Sequence, residues 1–250
     1  VTILSTQKSS MIEILTDTPS KYQAVAFKMD YWKPGTNYSS MILKTISKIV
    51  SDGDFVVISE KAVAIAKNRI IDEGRVKSGR MSRLLSRVWM QIVWGRFLGK
   101  VCHMTRKTRW RLNNYPLKEG TAHKQVCITY AGFLQSLRHG SEGGIDVTNL
   151  PYSYVALPLE NPQFEAKQLQ KQINLETGRK ISVMIADTDK TYSLGQKKYT
   201  PFPKAIPGII SGGGVFIYIL CRILRCKRRA TPVGYAGEPH NIETILNIAE

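Results

Sequence analysis

Two segments of this chain place an amphipathic helix directly before a short apolar strand. The first helix is predicted to begin after residues 34–37, and a Ser-Asp-Gly-Asp turn at 51–54 separates it from a strand at 55–59. The second begins at Asn161-Pro162, with asparagine as the cap and proline in the first turn, and stops at Gly178 before an apolar strand at 181–186. A helix that leads into a buried strand is typical of α/β proteins, and this fold class is therefore predicted.

Shorter patterns predict further elements. We expect a strand at 125–130, an extended segment at 152–157 and a closing helix at 242–249. A basic helix is predicted from five apolar side chains at spacings of three and four, which are Leu85, Val88, Trp89, Ile92 and Val93. We expect its tryptophan face to pack on the core, although a basic amphipathic helix can also lie on a membrane or bind a partner.

The positive charge of the chain is large and unevenly distributed. Lys and Arg number 36 against 19 Asp and Glu, which gives a formal net charge of +17. Twelve of these basic residues lie from Arg75 to Lys118, a stretch in which the sequence has no Asp or Glu. Such a field attracts phosphates, nucleic acid, acidic membrane surfaces or polyanionic substrates.

Cysteine usage and hydropathy predict a cytoplasmic protein. The four cysteines form no disulfide-dense pattern, so free thiols in a reducing cytosol are a simpler interpretation than a zinc site at Cys221 and Cys226. The four histidines show no metal-ligand spacing either. Residues 205–221 are uncharged and reach the lower limit of a membrane-spanning length, but Pro207 and the glycines at 212–214 would break a helix. We therefore expect a glycine loop that leads into a buried element.

Two aspartate motifs are the best candidates for chemistry. Asp146 lies in Gly-Ile-Asp-Val-Thr-Asn at 144–149, and Asp187 follows the predicted strand at 181–186. Each is followed by a hydroxyl, Thr148 or Thr188, and such oxygen ligands suit Mg²⁺ or Mn²⁺. Aspartates that cap local backbone amides remain the alternative.

Phosphate-binding motifs of the familiar kinds are absent from the sequence. It has neither a Walker A sequence nor a Gly-x-Gly-x-x-Gly after a strand. The Ser-Gly-Gly-Gly at 211–214 offers backbone amides to a phosphate, which by itself is a weak signal.

The aspartate motifs resemble those of a known family. Residues 144–149 are similar to the Gly-Ile-Asp-x-Ser-Asn motif of the γ-glutamyl ligases that act on the deazaflavin coenzyme F-420, as in archaea. The segments 155–159, 177–180 and 183–188 match that family in order and spacing, and 52–61 resembles its first strand. The resemblance covers most of residues 30–215.

The resemblance implies a fold, an activity and partners. The fold would be an α/β (α+β), mixed-sheet γ-glutamyl ligase-like unit over residues 1–250, forming an intertwined homodimer, with a basic Trp-rich helical insertion at 75–118. Members of the family use GTP with Mn²⁺ or Mg²⁺ to phosphorylate a substrate carboxylate, and the amine of L-glutamate then attacks the acyl phosphate. The acceptor would be an anionic carboxylate, a coenzyme F-420 precursor or analogue.

The same resemblance assigns roles to particular residues, without naming a catalytic one. Asp146 and Asp187 correspond to metal ligands. The residues implied to bind nucleotide or phosphate are Thr188, Asn149, Gly212 and Gly213. The residues implied to bind substrate are Glu60, Lys61 and Thr148.

The chain also departs from the family pattern. The family's first strand is usually followed by Lys-x-x-Ser-Lys-Ala-Glu-Gly, and here Lys61 is kept while Ala64, Ile65, Lys67 and Asn68 replace the Ser, the second Lys, the Glu and the Gly. We therefore predict a divergent member with altered substrate recognition. The alternative is a non-catalytic scaffold of this fold that binds nucleic acid or an acidic membrane through 75–118.

Overall fold

The computed structural model describes residues 2–5, 22–140, 142–147, 150–151 and 153–250. Its strands are β1 (Thr2–Ser5), β2 (Gln23–Ala26), β3 (Phe55–Ser59), β4 (Ile70–Asp72), β5 (Tyr154–Ala156), β6 (Ser182–Leu194), β7 (Lys197–Tyr199), β8 (Ile209–Ile210) and β9 (Lys227–Ala236). Its α-helices are α1 (Tyr38–Ile46), α2 (Glu60–Ala66), α3 (Arg80–Leu84), α4 (Gly99–Val101), α5 (Arg106–Asn113), α6 (Leu117–Val126), α7 (Phe133–Ser136), α8 (Pro162–Thr177), α9 (Gly214–Ile223) and α10 (Ile242–Ala249). Two π-helices span Leu85–Leu98 and Cys127–Ala131, and a 3-10 turn spans Glu73–Arg75.

Contacts within the chain divide it into two compact units. The first unit comprises Val1–Arg69, Leu159–Asp189 and Arg229–Glu250, and the second comprises Ile70–Pro158 and Lys190–Arg228. The prediction that residues 1–250 act as one ligase-like unit with an insertion at 75–118 stays a prediction.

The sheet of the first unit is mixed, which confirms the mixed sheet that the resemblance implied. Its strands follow the order β2-β1-β3-β6, and β9 also pairs with β6. β3 and β6 run parallel, in a register that pairs Phe55 with Ser182 and Ser59 with Ala186. β1 is antiparallel to both β2 and β3. Because β3 and β6 are central and apolar, α1 and α8 bury their inner faces with them in one core, which contains Ile42, Ile46, Val56, Ile58, Leu169, Ile173, Val183 and Ile185.

The predicted helix boundaries of this unit are confirmed by their caps. The Asn37 side chain accepts the amide of Ser40 at 3.1 Å and begins α1. Asn161 Oδ1 accepts the amide of Phe164 at 3.0 Å and begins α8. Gly178 ends α8 with a φ of 67°, a left-handed conformation that favours glycine. The closing helix α10 is also confirmed, and the Asn241 side chain caps it.

The second unit is largely helical. β4 pairs antiparallel with β5, and the end of β6 pairs antiparallel with β7, which is parallel to β8. β5 confirms the extended segment predicted at 152–157, of which Tyr152 lies outside the described residues. The strand predicted at 125–130 is wrong, because these residues end α6 and continue as the π-helix Cys127–Ala131.

The basic helix predicted around Trp89 exists but has a different buried face. Leu85–Leu98 is π-helical, and i→i+5 hydrogen bonding puts more than four residues in each turn. Its buried stripe therefore runs through Leu85, Met90 and Trp94, at spacings of five and four, while Val88 and Ile92 of the predicted face are exposed. The indole nitrogens of Trp89 and Trp94 both donate to the carbonyl of Leu137, at 2.6 and 2.8 Å.

The uncharged segment at 205–221 contains β8 and most of α9. Gly212 and Gly213 precede α9, and Gly214 begins it. This helix buries Val215, Tyr218 and Cys221, so the predicted glycine loop into a buried element is confirmed. Across the described part of the chain, every helix is too short or too polar to cross a membrane.

Candidate functional site

The parallel strand pair of the first unit brings two predicted site segments to one edge. Ser59, the last residue of β3, is the register partner of Ala186 in β6. Glu60 and Lys61 therefore leave β3 next to the point where Asp187 and Thr188 follow in β6. The carboxyl ends of parallel strands are where α/β sheets commonly bind ligands, so this edge is the candidate functional site.

Asp187 lies within β6 rather than after it. The strand was predicted to end at residue 186 but continues to Leu194, and its last three residues pair with β7. The buried run stops at Ile185, and Asp187 is half-buried while Thr188 is exposed. Asp187 Oδ1 accepts the amide of Thr188 at 2.8 Å. One carboxylate oxygen therefore caps a local backbone amide, which is the alternative to metal binding that the sequence left open.

Glu60 and Lys61 form the first turn of α2. Glu60 is buried, and its Oε1 accepts the amide of Leu159 at 2.9 Å, which fastens the segment before α8 to the end of β3. Lys61 is half-buried. The substrate-binding roles of both residues stay predictions.

The residues that depart from the family pattern after β3 have structural contacts here. Ala64 and Ile65, which replace the family's Ser and Lys, are buried in α2. Lys67, which replaces the family's Glu, donates to Glu165 Oε1 at 2.6 Å, and the Tyr38 hydroxyl donates to Glu165 Oε2 at 2.8 Å. Lys67 at the end of α2 and Tyr38 of α1 are therefore both bonded to Glu165 of α8, while Ala64 and Ile65 pack as buried apolar side chains.

Asp146 belongs to the second unit and is anchored by its backbone. It forms an antiparallel bridge with Ala156 of β5, with N–H to carbonyl distances of 3.1 and 2.8 Å. Its side chain is half-buried next to the buried Ile145. The predicted site residues Thr148 and Asn149 lie outside the described residues.

The predicted phosphate-binding glycines of the second unit precede α9. Gly212 has a φ of +91°, and its amide donates to the carbonyl of Phe202 at 2.8 Å. A Cβ at Gly213 would collide with Ile217, so this position requires glycine for its close approach to the helix. A phosphate at Gly212 would have to displace the bond to Phe202.

A buried polar cluster in the second unit was missed by sequence reasoning. Lys124, fully buried, donates to the carbonyls of Ser136 and Arg138 at 2.8 and 2.7 Å and to Glu142 Oε1 at 2.8 Å. His123 Nδ1 lies 2.6 Å from Glu73 Oε1. The cluster was missed because a strand was predicted at 125–130, and this prediction did not put His123 and Cys127 on the same helix.

The charges in this cluster stabilise one another. Burial alone would raise the pKa of Glu142, but the charges of Lys124 and His123 hold this pKa well below its usual range. Burial alone would lower the pKa of His123, and the neighbouring Glu142, Cys127 and Glu73 instead raise it well above its usual value. Burial and Glu142 raise the pKa of the Cys127 thiol.

Comparison with known proteins identifies the family. The family model of F420-0:gamma-glutamyl ligase matches residues 26–212. The chain is also 38% identical over 223 residues to an uncharacterized protein of Methanocaldococcus jannaschii. The aligned residues cover 86% of this chain and 76% of that protein. The chain therefore belongs to the F420-0:gamma-glutamyl ligase family, as the resemblance of its aspartate motifs predicted.

Proposed function

We propose that this protein is a GTP-dependent γ-glutamyl ligase that uses Mn²⁺ or Mg²⁺, acts as a homodimer and forms an amide between an anionic carboxylate and L-glutamate. The observation that carries this proposal is the family match over residues 26–212, which includes both aspartate motifs and the edge formed by β3 and β6. The acceptor would be a coenzyme F-420 precursor or an analogue of it.

The proposed reaction has two steps. An acceptor carboxylate oxygen attacks the γ-phosphorus of GTP, which releases GDP and leaves an acyl phosphate. The neutral amine of L-glutamate then attacks the acyl carbon, inorganic phosphate leaves, and the amine nitrogen loses a proton as the amide forms. Glu60, Lys61 and Thr148 would bind the substrate, and Thr188, Asn149, Gly212 and Gly213 would bind the nucleotide phosphates.

The donor chemistry of the aspartate motifs fits a hard divalent cation. Asp146 and Asp187 offer carboxylate oxygens on half-buried, backbone-anchored positions, and Mn²⁺ and Mg²⁺ prefer such ligands together with phosphate oxygens. Asp146 and Asp187 would hold the ion. When bound, the ion would neutralise the negative charge of the nucleotide phosphates. The chain's own contribution is to fix the carboxylates through the Ala156 bridge and through β6.

Calorimetry with GTP and Mn²⁺ tests the nucleotide part of this proposal. We expect the wild type to bind and Asp187→Asn to bind weakly, because the amide lacks the negative charge that a divalent ion requires. Glu176→Gln is a matched control, since Glu176 is exposed near the end of α8 and its carboxylate accepts a hydrogen bond from the Gln172 side chain. No binding of GTP by the wild type, or equal binding by Asp187→Asn, would contradict the proposal.

Product analysis tests the chemistry. Continued GDP release over many turnovers should require both an acceptor carboxylate and L-glutamate, because without L-glutamate the acyl phosphate is not consumed. Mass spectrometry should show the acceptor heavier by one glutamyl residue. GDP release that is unaffected by L-glutamate would indicate a different reaction on the same scaffold.

A second function, binding of polyanions by the basic segment, has one specific observation in its favour. α5 carries Arg106, Lys107 and Arg111 on its exposed surface together with Trp110, whose exposed fraction is 66%. An exposed aromatic ring between cationic side chains is typical of surfaces that bind single-stranded nucleic acid, although the same helix suits an acidic membrane. Affinity for single-stranded RNA should then fall steeply with salt, and a chain with Trp110→Ala should bind more weakly. Absence of binding at low salt would exclude this function.

A further inference from the structure

Three side chains with metal-ligand atoms converge in the second unit, and one of them, Glu142, lies just before the aspartate motif at 144–149. His123 lies in α6, Cys127 follows it by four residues at the start of the π-helix Cys127–Ala131, and Glu142 lies in the loop after α7. A spacing of four residues puts two helical side chains on the same face. A ring nitrogen of His123, the Cys127 sulfur and a Glu142 oxygen all lie within 4.8 Å of one another.

The distance between His123 and Glu142 suits two ligands of one ion better than a hydrogen bond. His123 Nε2 is 3.4 Å from Glu142 Oε2. A normal N–H···O hydrogen bond is about 2.7–3.2 Å long. Nitrogen and oxygen ligands bound to tetrahedral zinc at about 2.0–2.1 Å are separated by about 3.3 Å. The observed separation therefore requires little movement of either side chain to admit an ion.

Both ligands are held by a second layer of contacts. Glu73 Oε1 bonds Nδ1 of His123 at 2.6 Å, so Nε2 is the ring nitrogen that faces the cluster. Lys124 donates to Glu142 Oε1 at 2.8 Å and is itself fixed by two backbone carbonyls, so Oε2 is the oxygen directed at His123. A carboxylate behind a ligating histidine, and a hydrogen-bonded ligating carboxylate, are the usual outer partners of metal sites.

The charges of the cluster match a divalent ion. In the ion-bound form, in which Cys127 is a thiolate and His123 is neutral, the carboxylates of Glu73 and Glu142 bring the negative charge to three, and Lys124 reduces it to two. A dication would neutralise the remainder. This balance matters because Cys127 is fully buried and Glu142 nearly so, and uncompensated charge in such a site is costly.

We propose that His123, Cys127 and Glu142 bind a zinc ion, with a water molecule as the fourth ligand. A nitrogen, a thiolate sulfur and one carboxylate oxygen suit zinc, whereas Mg²⁺ and Mn²⁺ prefer sites made only of oxygen ligands. The ion would join the α6–π-helix junction to the loop at 142–147 and so stabilise the second unit. Its three ligands are different residues from those proposed to bind GTP and Mn²⁺, and the zinc proposal does not depend on that chemistry.

Metal content of the purified 250-residue chain tests the site. After incubation with zinc and dialysis against a weak chelator, we expect one zinc ion per chain in the wild type and in Cys226→Ser. Cys127→Ser should retain far less zinc, and Glu73→Gln should lose about tenfold in zinc affinity because it removes only an outer partner. A wild type without stoichiometric zinc, or a Cys127→Ser variant that retains it, would overturn the proposal.

Cobalt substitution identifies the sulfur ligand even if Cys127→Ser fails to fold. Cobalt bound to a thiolate gives a charge-transfer band in the near ultraviolet. Replacing Cys102, Cys221 and Cys226 by alanine leaves Cys127 as the only thiol of the chain. We expect the band to persist in this triple variant, with its folding checked by circular dichroism. A wild-type cobalt complex without the band would also overturn the proposal.

Discussion

Removing the ammonium of Lys124 should destabilise the second unit strongly. Lys124→Met keeps the length of the side chain but deletes three hydrogen bonds, to the carbonyls of Ser136 and Arg138 and to Glu142. The Glu142 carboxylate, whose side-chain exposure is 5%, would lose its closest cation. Breaking one side of a buried ion pair costs about 3–5 kcal/mol because the remaining charge is uncompensated.

This loss is large relative to the whole free energy of unfolding, which is about 5–15 kcal/mol for a typical domain. Urea unfolding of chelator-treated protein, followed by tryptophan fluorescence, measures it. Trp89 and Trp94 report on the second unit because both indoles bond to Leu137. The matched control is Lys171→Met on the exposed face of α8, which should change the free energy of unfolding by less than about 0.5 kcal/mol.

The double variant Lys124→Met with Glu142→Gln separates lost charge pairing from lost packing. A neutral amide beside methionine removes the uncompensated charge, so the double variant should be more stable than Lys124→Met alone. The reasoning is refuted if Lys124→Met unfolds within about 1 kcal/mol of the wild type, or if the second substitution only adds to the loss.

Three further substitutions test the roles of single residues in stability. Burial lowers the pKa of His139 to about 4, whereas an unfolded histidine titrates near 6.5. Above pH 6.5 both states are neutral, and the free energy of unfolding has its full value. As the pH falls from 6.5 to 4, the unfolded state binds a proton that the folded state does not, and about 3 kcal/mol of the free energy of unfolding is lost. The difference in unfolding free energy between wild type and His139→Asn should therefore vary with pH only in that window, and a constant difference would contradict the assignment. Asn161→Ala should cost about 1 kcal/mol in urea unfolding by removing the α8 cap, whereas an unchanged midpoint would show the cap to be unimportant. Gly234→Ala should lower the melting temperature, because its Cβ would collide with the carbonyl of Pro162, and a variant as stable as the wild type would show that β9 can shift.

Local signals predicted the elements of the first unit well. α8 was predicted from Asn161 to Gly178 because both caps act through bonds within a few residues. The apolar runs of β3 and β6 identified buried strands in the same way. Their pairing was not predictable from spacing, and neither was the extension of β6 past Asp187, because strand partners such as β9 are distant in the sequence.

The second unit was predicted less well because its helices change type. A period of 3.6 residues placed Val88 and Ile92 on the buried face, whereas the π-helical turn buries Met90 and Trp94. The β-branched residues near Cys127 favoured a strand, yet the Thr129 hydroxyl bonds the carbonyl of Gln125 four residues before it, a contact made only in a helix. The Lys124 cluster could not be found without first assigning that helix.

The parallel pairing of β3 with β6 has a consequence for synthesis of the chain. Phe55 leaves the ribosome long before its partner Ser182, and Arg229–Glu250 must follow before the first unit has all of its segments. During that interval one edge of β3 has no strand beside it, and an unpaired apolar edge invites pairing with other nascent chains. The contiguous stretch Ile70–Pro158, rich in helices and local contacts, emerges within the same interval and is free to begin folding first. The order of translation thus favours early structure in the helical segment and late closure of the sheet that carries Asp187.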